Sequence, residues 1–173
     1  MQETEILVDL LKADRRPGHF LDVGAFDGAL FSSTSRLVEL GWSGVCIEQT
    51  PSMFIELLGR YGTNKHLAII NSTITPENGF VSFQDASGIR FIVYTVTFTD
   101  LFSRFGTVFD FISLKGTGDC VALFASLPLQ TLAQCRVLSI EHDSKLAEIK
   151  QRAEKFGFNY VWHSTEKVLL SRA

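Results

Sequence analysis

The chain has 173 residues, 46% of them hydrophobic and 20% charged, and a formal net charge of −3. That size and balance fit one domain with its own core, unaided by disulfides or metal. A negative chain with scattered basic residues excludes an overall field for nucleic acid or an anionic membrane. No apolar run is long enough to span a bilayer.

Ile6, Leu7, Leu10 and Leu11 have helical spacing, and Pro17-Gly18 breaks that helix. His19 to Val23 reads as a short buried strand, and Gly24 to Gly28 as a glycine-bounded turn. Ser32, Ser33 or Thr34 caps the next helix, which carries Leu37, Val38 and Leu40 and stops at Gly41. A second strand runs from Gly44 to Glu48, and Pro51 opens a helix as a first-turn proline. Leu67 to Ile70 is a third strand, and Pro76 to Gly79 turns between two strand-like runs. Phe91 to Phe98 reads as strand, with Thr99 or Asp100 starting a short helix. Phe109 to Leu114 is another buried strand, and a helix follows Gly118. After the strand Arg136 to Glu141, Asp143 or Ser144 caps an amphipathic helix with Leu146, Ile149 and Ala153, ending at Gly157. Phe158 to Leu170 forms a hairpin around Ser164 to Lys167. Strands alternating with helices predict a mostly parallel sheet covered on both faces.

Three cysteines, Cys46, Cys120 and Cys135, lack CxxC spacing, so they read neither as a disulfide framework nor as a zinc site. They fit a reducing, cytoplasmic setting. Met1 to Glu5 lacks the basic start and long apolar stretch of a signal peptide.

The informative segment is Leu21-Asp22-Val23-Gly24-Ala25-Phe26-Asp27-Gly28, where a first strand turns into a first helix. Open α/β sheets bind ligands at the carboxyl ends of their strands. Glycines there let backbone approach a ligand, and the following helix start offers free N–H groups. The second strand ends in Glu48, where an acid can accept hydrogen bonds from both hydroxyls of a ribose. Together these point to a nucleoside-type cofactor. Phe26 stands where a dinucleotide fold needs its middle glycine, which disfavours a pyrophosphate and hence a nucleotide-binding oxidoreductase. The C-terminal hairpin instead suits a methyltransferase sheet.

Phe20 to Gly28 with Ser32-Ser33-Thr34 resembles the first motif of the FkbM family of methyltransferases. Gly41 to Pro51 is similar to that family's strand ending in glutamate, with a proline soon after. Thr97 to Leu101, Val137 to His142 and Phe156-Gly157-Phe158 resemble later segments. The resemblance implies a Rossmann-like class I methyltransferase sandwich: a mostly parallel seven-stranded sheet with a C-terminal antiparallel hairpin and helices on both faces, in a single domain. It implies S-adenosylmethionine as cofactor, held by Asp22, Gly24, Ala25, Phe26, Asp27, Gly28, Ser33, Glu48 and Gln49. It also implies O-methylation of a hydroxyl on a sugar or other small-molecule acceptor, with neither nucleic acid nor membrane as partner. The acceptor pocket comes from loops, comes from a second subunit or is absent, so a homodimer is one arrangement.

One departure bears on catalysis. After the fourth strand the family carries aspartate, then glutamate-glycine, then another glutamate. Here Lys115 stands at the aspartate, Thr117 at the first glutamate and Cys120 at the second, with only Gly118 kept. Thr99 likewise replaces an acid. The candidate bases are therefore Lys115, Asp119 and His142, with no metal. Each has a plainer alternative. Lys115 is either an exposed loop lysine or a desolvated base, and His142 either structural or a base. Asp22 is a cofactor contact or an anchor for backbone N–H groups of the turn, and Asp27 a cap. Phe26 and Trp42 read as packing residues, and His19, His66 and His163 show no ligand spacing. The lost acids also fit a second reading, a catalytically degenerate member that keeps the fold as a binding or assembly module.

Overall fold

The computed structural model describes residues 3–30, 32–85, 87–116 and 119–172. In chain order these form α1 (Glu3–Leu11), β1 (His19–Val23), α2 (Ser35–Glu39), β2 (Ser43–Glu48), α3 (Pro51–Tyr61) and β3 (Leu67–Asn71). Three strands follow, β4 (Thr73–Ile74), β5 (Gly79–Gln84) and β6 (Arg90–Val96), then α4 (Phe98–Phe105), β7 (Phe111–Leu114) and α5 (Cys120–Ser126). The chain ends with β8 (Val137–Glu141), α6 (Leu146–Glu154), β9 (Asn159–His163) and β10 (Lys167–Ser171).

Seven strands make one sheet in the order β3-β2-β1-β7-β8-β10-β9. The first five run parallel, and β10 is antiparallel to both β8 and β9. This is the Rossmann-like methyltransferase sheet with its C-terminal hairpin. Alternation along each strand sorts side chains onto two cores. Leu21, Val23, Val45, Ile47, Ile112 and Leu114 pack with Phe102, Phe124 and Ile149 of α4, α5 and α6. Phe20, Cys46, Phe111 and Val137 pack on the other face with Leu7, Leu37 and Leu57 of α1, α2 and α3. The order reverses on either side of β1, so the carboxyl ends of β1, β2 and β7 frame the crevice where such sheets bind ligands.

Between β3 and α4 the chain builds a second, three-stranded sheet in the order β4-β6-β5. The turn at Pro76 to Gly79 was legible, but not that these strands leave the main sheet. Two boundaries differ from the sequence expectation, and a third resolves among the residues it offered. The strand run ends at Val96, and α4 starts at Phe98 on a Thr97 cap, whose hydroxyl accepts the Asp100 N–H at 3.0 Å. Helical spacing lets Phe98, Leu101 and Phe102 all bury, which a strand continued to Phe98 would not allow. Asp143 and Ser144 do not cap α6. Both sit at positive φ, 44° and 63°, in a left-handed turn that precedes it. At α2 the cap position is Thr34, yet Ser32 Oγ is what accepts the Thr34 and Ser35 N–H groups. No helix among the described residues is long and apolar enough to cross a membrane.

Candidate functional site

The turn after β1 is held from both sides. The Gly24 and Ala25 N–H groups both donate to the Ile47 carbonyl of β2, at 2.9 and 3.0 Å. On the other flank, a Cβ on Gly24 would lie 2.2 Å from the Lys115 carbonyl oxygen, and its φ is +76°. Only glycine fits that approach. Gly28, also at φ +76°, lies against the Tyr61 ring, and the Tyr61 hydroxyl donates to the Gly28 carbonyl at 2.9 Å. Between them Phe26 takes a left-handed φ of 56°, which is costly for a bulky residue, and its ring is 39% exposed. It faces out of the turn and is not a core residue.

Glu48 pays for part of that geometry. Its Oε2 accepts the Phe26 N–H at 2.8 Å and its Oε1 accepts the Thr50 N–H at 2.7 Å. The carboxylate thus clasps the turn to the start of α3 while only 4% of the residue is exposed. Each oxygen keeps a lone pair for a further donor. Asp27 Oδ1 accepts the Ala29 and Leu30 N–H groups, as a cap does.

Asp22 is fully buried and anchors the turn differently from either expectation. Its Oδ2 accepts the Thr34 hydroxyl at 2.6 Å, and its Oδ1 lies 3.2 Å from Lys115 Nζ. Lys115 is therefore not an exposed loop lysine. Its side chain is 6% exposed and paired, and its backbone N–H donates to the Val23 carbonyl at 2.9 Å.

Two cavities open at the carboxyl ends of these strands. One, about 400 Å³, is lined by Gly24, Phe26, Glu48, Gln49, Lys115 and Glu141, and also by Gly116 and Glu166. The other, about 340 Å³, has an apolar wall of Val23, Ile74, Val81, Phe83 and Leu123. Gln49, Lys115 and Gly116 line both, so the two adjoin. Both volumes are in the range of small-molecule sites. The apolar wall comes partly from β5, so the inserted sheet closes one side of the site.

The predicted residues divide. Gly24, Phe26, Glu48, Gln49 and Lys115 line the larger cavity, whereas Asp22, Ala25, Asp27 and Gly28 shape the turn behind it. Ser33 lines neither cavity. Its hydroxyl donates to Glu3 Oε1 at 2.8 Å, in a buried cluster with Ser139 and Lys167. Asp119 borders the smaller cavity but caps α5, accepting the Ala122 N–H at 3.0 Å while Lys145 Nζ lies 3.0 Å from its other oxygen. That N–H, reinforced by the ammonium, holds its carboxyl below the usual range and makes it a weak base. His142 is buried at the hairpin with Nε2 3.2 Å from the Ser164 carbonyl, and it lines neither cavity, which matches the structural role. Thr117 and Gly118 lie outside the described residues.

Glu141, Glu166, Val81 and Phe83 were not singled out from the sequence. Glu141 had a signal, an acid at a strand end like Glu48, whereas the other three are brought in by the hairpin and the inserted sheet. Cys120 lines the smaller cavity, and burial together with Glu141 pushes its thiol up to about 12, so it is no nucleophile at neutral pH. No group of three or more His, Cys, Asp or Glu among the described residues is placed to hold a metal ion.

No family model matches the chain, and no curated protein matches it. Solved structures do. The ribosomal protein L11 methylase from Lactobacillus delbrueckii subsp. bulgaricus superposes with a TM-score of 0.59 at 14% identity, over 99% of this chain and 78% of that one. The N-terminal domain of human METTL16, solved in complex with SAH, gives 0.57 at 12% over 96% and 66%. Methyltransferase FkbM from Methylobacillus flagellatus KT gives 0.62 at 11%, over 90% of this chain but only 43% of that one. At these identities the likeness is one of fold, and the fold is that of the class I, Rossmann-like methyltransferases.

Proposed function

We propose that this chain binds S-adenosylmethionine in the paired cavities and is a methyltransferase acting on a hydroxyl of a small-molecule acceptor. The observation that carries the reading is Glu48. A nearly buried carboxylate ends β2 beside the glycine turn, lines a cavity of about 400 Å³ and keeps lone pairs to spare. Those lone pairs suit the two hydroxyls of a ribose, and the apolar wall of Ile74, Val81 and Phe83 suits an aromatic base. The residues present therefore fit an adenosyl group. When bound, the sulfonium supplies an electrophilic methyl group. The chain's own contribution is to hold the reactants in line and keep water out, since in-line displacement depends chiefly on positioning. That METTL16 was solved with SAH on a similar fold supports the same ligand class here. A fold like that of methyltransferase FkbM is compatible with the sequence resemblance to that family.

A second reading, a degenerate methyltransferase fold serving as a binding module, is favoured by one observation. None of the three candidate bases presents an unengaged group to the cavities: Lys115 is paired with Asp22, Asp119 caps α5 and His142 lies elsewhere. Thermal shift with S-adenosylhomocysteine and NAD tests the main reading. Stabilisation by S-adenosylhomocysteine alone is the expected result, and stabilisation by NAD alone would refute it. Binding without methyl transfer to any hydroxyl acceptor would select the second reading.

A further inference from the structure

Lys115, which lines the larger cavity, and Lys167 are both buried and both paired. Lys115 Nζ lies 3.2 Å from Asp22 Oδ1, and Lys167 Nζ lies 3.5 Å from Glu3 Oε2. Asp22 is fully buried, with the Thr34 hydroxyl on its other oxygen. It lines neither cavity, so its carboxylate is not presented to a ligand there. Glu48 gives each of its oxygens to a backbone N–H, and its remaining lone pairs are those that suit the ribose hydroxyls.

Glu141 differs. It ends β8 beside the exit of β7 and lines the same cavity. Its Oε2 accepts the Gly116 N–H at 3.0 Å, which fixes the direction of the carboxylate. Its Oε1 has no hydrogen-bond partner among the described residues. The cavity therefore keeps one anchored, half-buried carboxylate with an unused oxygen.

We propose that Glu141 is an ammonium-binding subsite, which receives the α-amino group of an adenosyl amino-acid ligand. The inference rests on the adenosyl reading given above. An ammonium has three N–H donors and no acceptor, so a fixed carboxylate oxygen matches it with a charge-assisted bond. Partial burial weakens the screening of that pair by solvent.

Isothermal titration of the full chain tests this with two ligands, S-adenosylhomocysteine and its deaminated analogue, in which hydrogen replaces the amino group. The wild type should prefer S-adenosylhomocysteine by roughly 10- to 100-fold. Glu141→Gln keeps an oxygen for the Gly116 N–H but loses the charge. It should weaken S-adenosylhomocysteine by about tenfold or more and leave the analogue within about twofold. Equal weakening of both ligands would mean that Glu141 only holds the Gly116 loop, and would overturn the assignment. So would unchanged binding of S-adenosylhomocysteine. Glu166→Gln should leave the preference intact, and loss of it there with Glu141→Gln unaffected would move the subsite to the hairpin and overturn the proposal. Should Glu141→Gln fail to fold, the wild type still decides, since equal affinity for the two ligands leaves no ammonium subsite. Failure of the wild type to bind either ligand would instead overturn the adenosyl reading itself.

Discussion

Replacing Lys115 by methionine removes one partner of a buried ion pair and leaves the other behind. Asp22 has no exposed surface and Lys115 is 6% exposed, with 3.2 Å between the charges. The Thr34 hydroxyl still donates to Asp22, but one neutral donor does not compensate a carboxylate out of water. Breaking such a pair from one side costs about 3–5 kcal/mol. For a chain of this length each kcal/mol lowers the melting temperature by about 2–4 °C, so the variant should melt some 6–20 °C lower. Adding Asp22→Asn removes the stranded charge while keeping an oxygen for Thr34, so the double variant should recover most of the loss. Urea unfolding of wild type, Lys115→Met, Asp22→Asn and the double variant gives the coupling energy directly. A Lys115→Met midpoint at the wild-type value, or a double variant no more stable than Lys115→Met, would refute the buried-pair reasoning. It would return Lys115 to the role of a loop lysine.

Glu48→Ala should weaken S-adenosylhomocysteine by about one to two decades, and it should also destabilise the fold, because the Phe26 and Thr50 N–H groups lose their acceptor at a cost of about 1–3 kcal/mol each. Titration alongside urea unfolding checks both, and full stability with lost binding would show that the clasp on the turn has no energetic weight. Asp119 has a folded pKa below its unfolded value, so its stabilisation is present above the ordinary carboxylate range and is lost as pH falls through the lowered value. Asp119→Asn should therefore be less stable than wild type at pH 7, with the difference vanishing as pH falls through the lowered value. A difference that persists in acid would show that the cap does not depend on the charge.

The parts of the site legible in the sequence are those set by local pattern. A short strand-like run from His19 to Val23, a glycine turn and an acid at the next strand's end specify β1, β2 and the crevice between them. The backbone chemistry of Gly24 could be foreseen in kind, but not that its missing Cβ admits the Lys115 carbonyl. Lys115 itself could not be placed, because its partner lies on a strand distant in sequence and only the parallel pairing of β1 with β7 brings them together. Ser33 misled for the same reason. It belongs to the motif by position, but the start of α1 supplies Glu3 to take its hydroxyl. Asp143 and Ser144 are good cap residues by type, and the tight exit from β8 puts both at positive φ instead. The inserted strands show their alternation plainly, yet alternation does not say which face meets a cavity. Val81 and Phe83 turn inward to line it, while Phe80 on the opposite face is 75% exposed.

The turn after β1 and the loop after β7 behave as one unit for three separate reasons. Gly24 admits the Lys115 carbonyl, the Lys115 N–H bonds the Val23 carbonyl, and the Lys115 ammonium pairs with Asp22 beneath them. The next residue, Gly116, extends the unit to β8 through Glu141. Glu48 ties the other side of the turn to α3 through Phe26 and Thr50. Glu48, Lys115 and Glu141, which line the larger cavity, are thus each positioned by a bond to a neighbouring strand or turn. Preorganisation of this kind lets a site favour one ligand geometry without ordering loops at the moment of binding. It also explains why a lysine can stand where the family resemblance implies an acid: with Asp22 as its partner, Lys115 brings a buried neutral pair to the cleft.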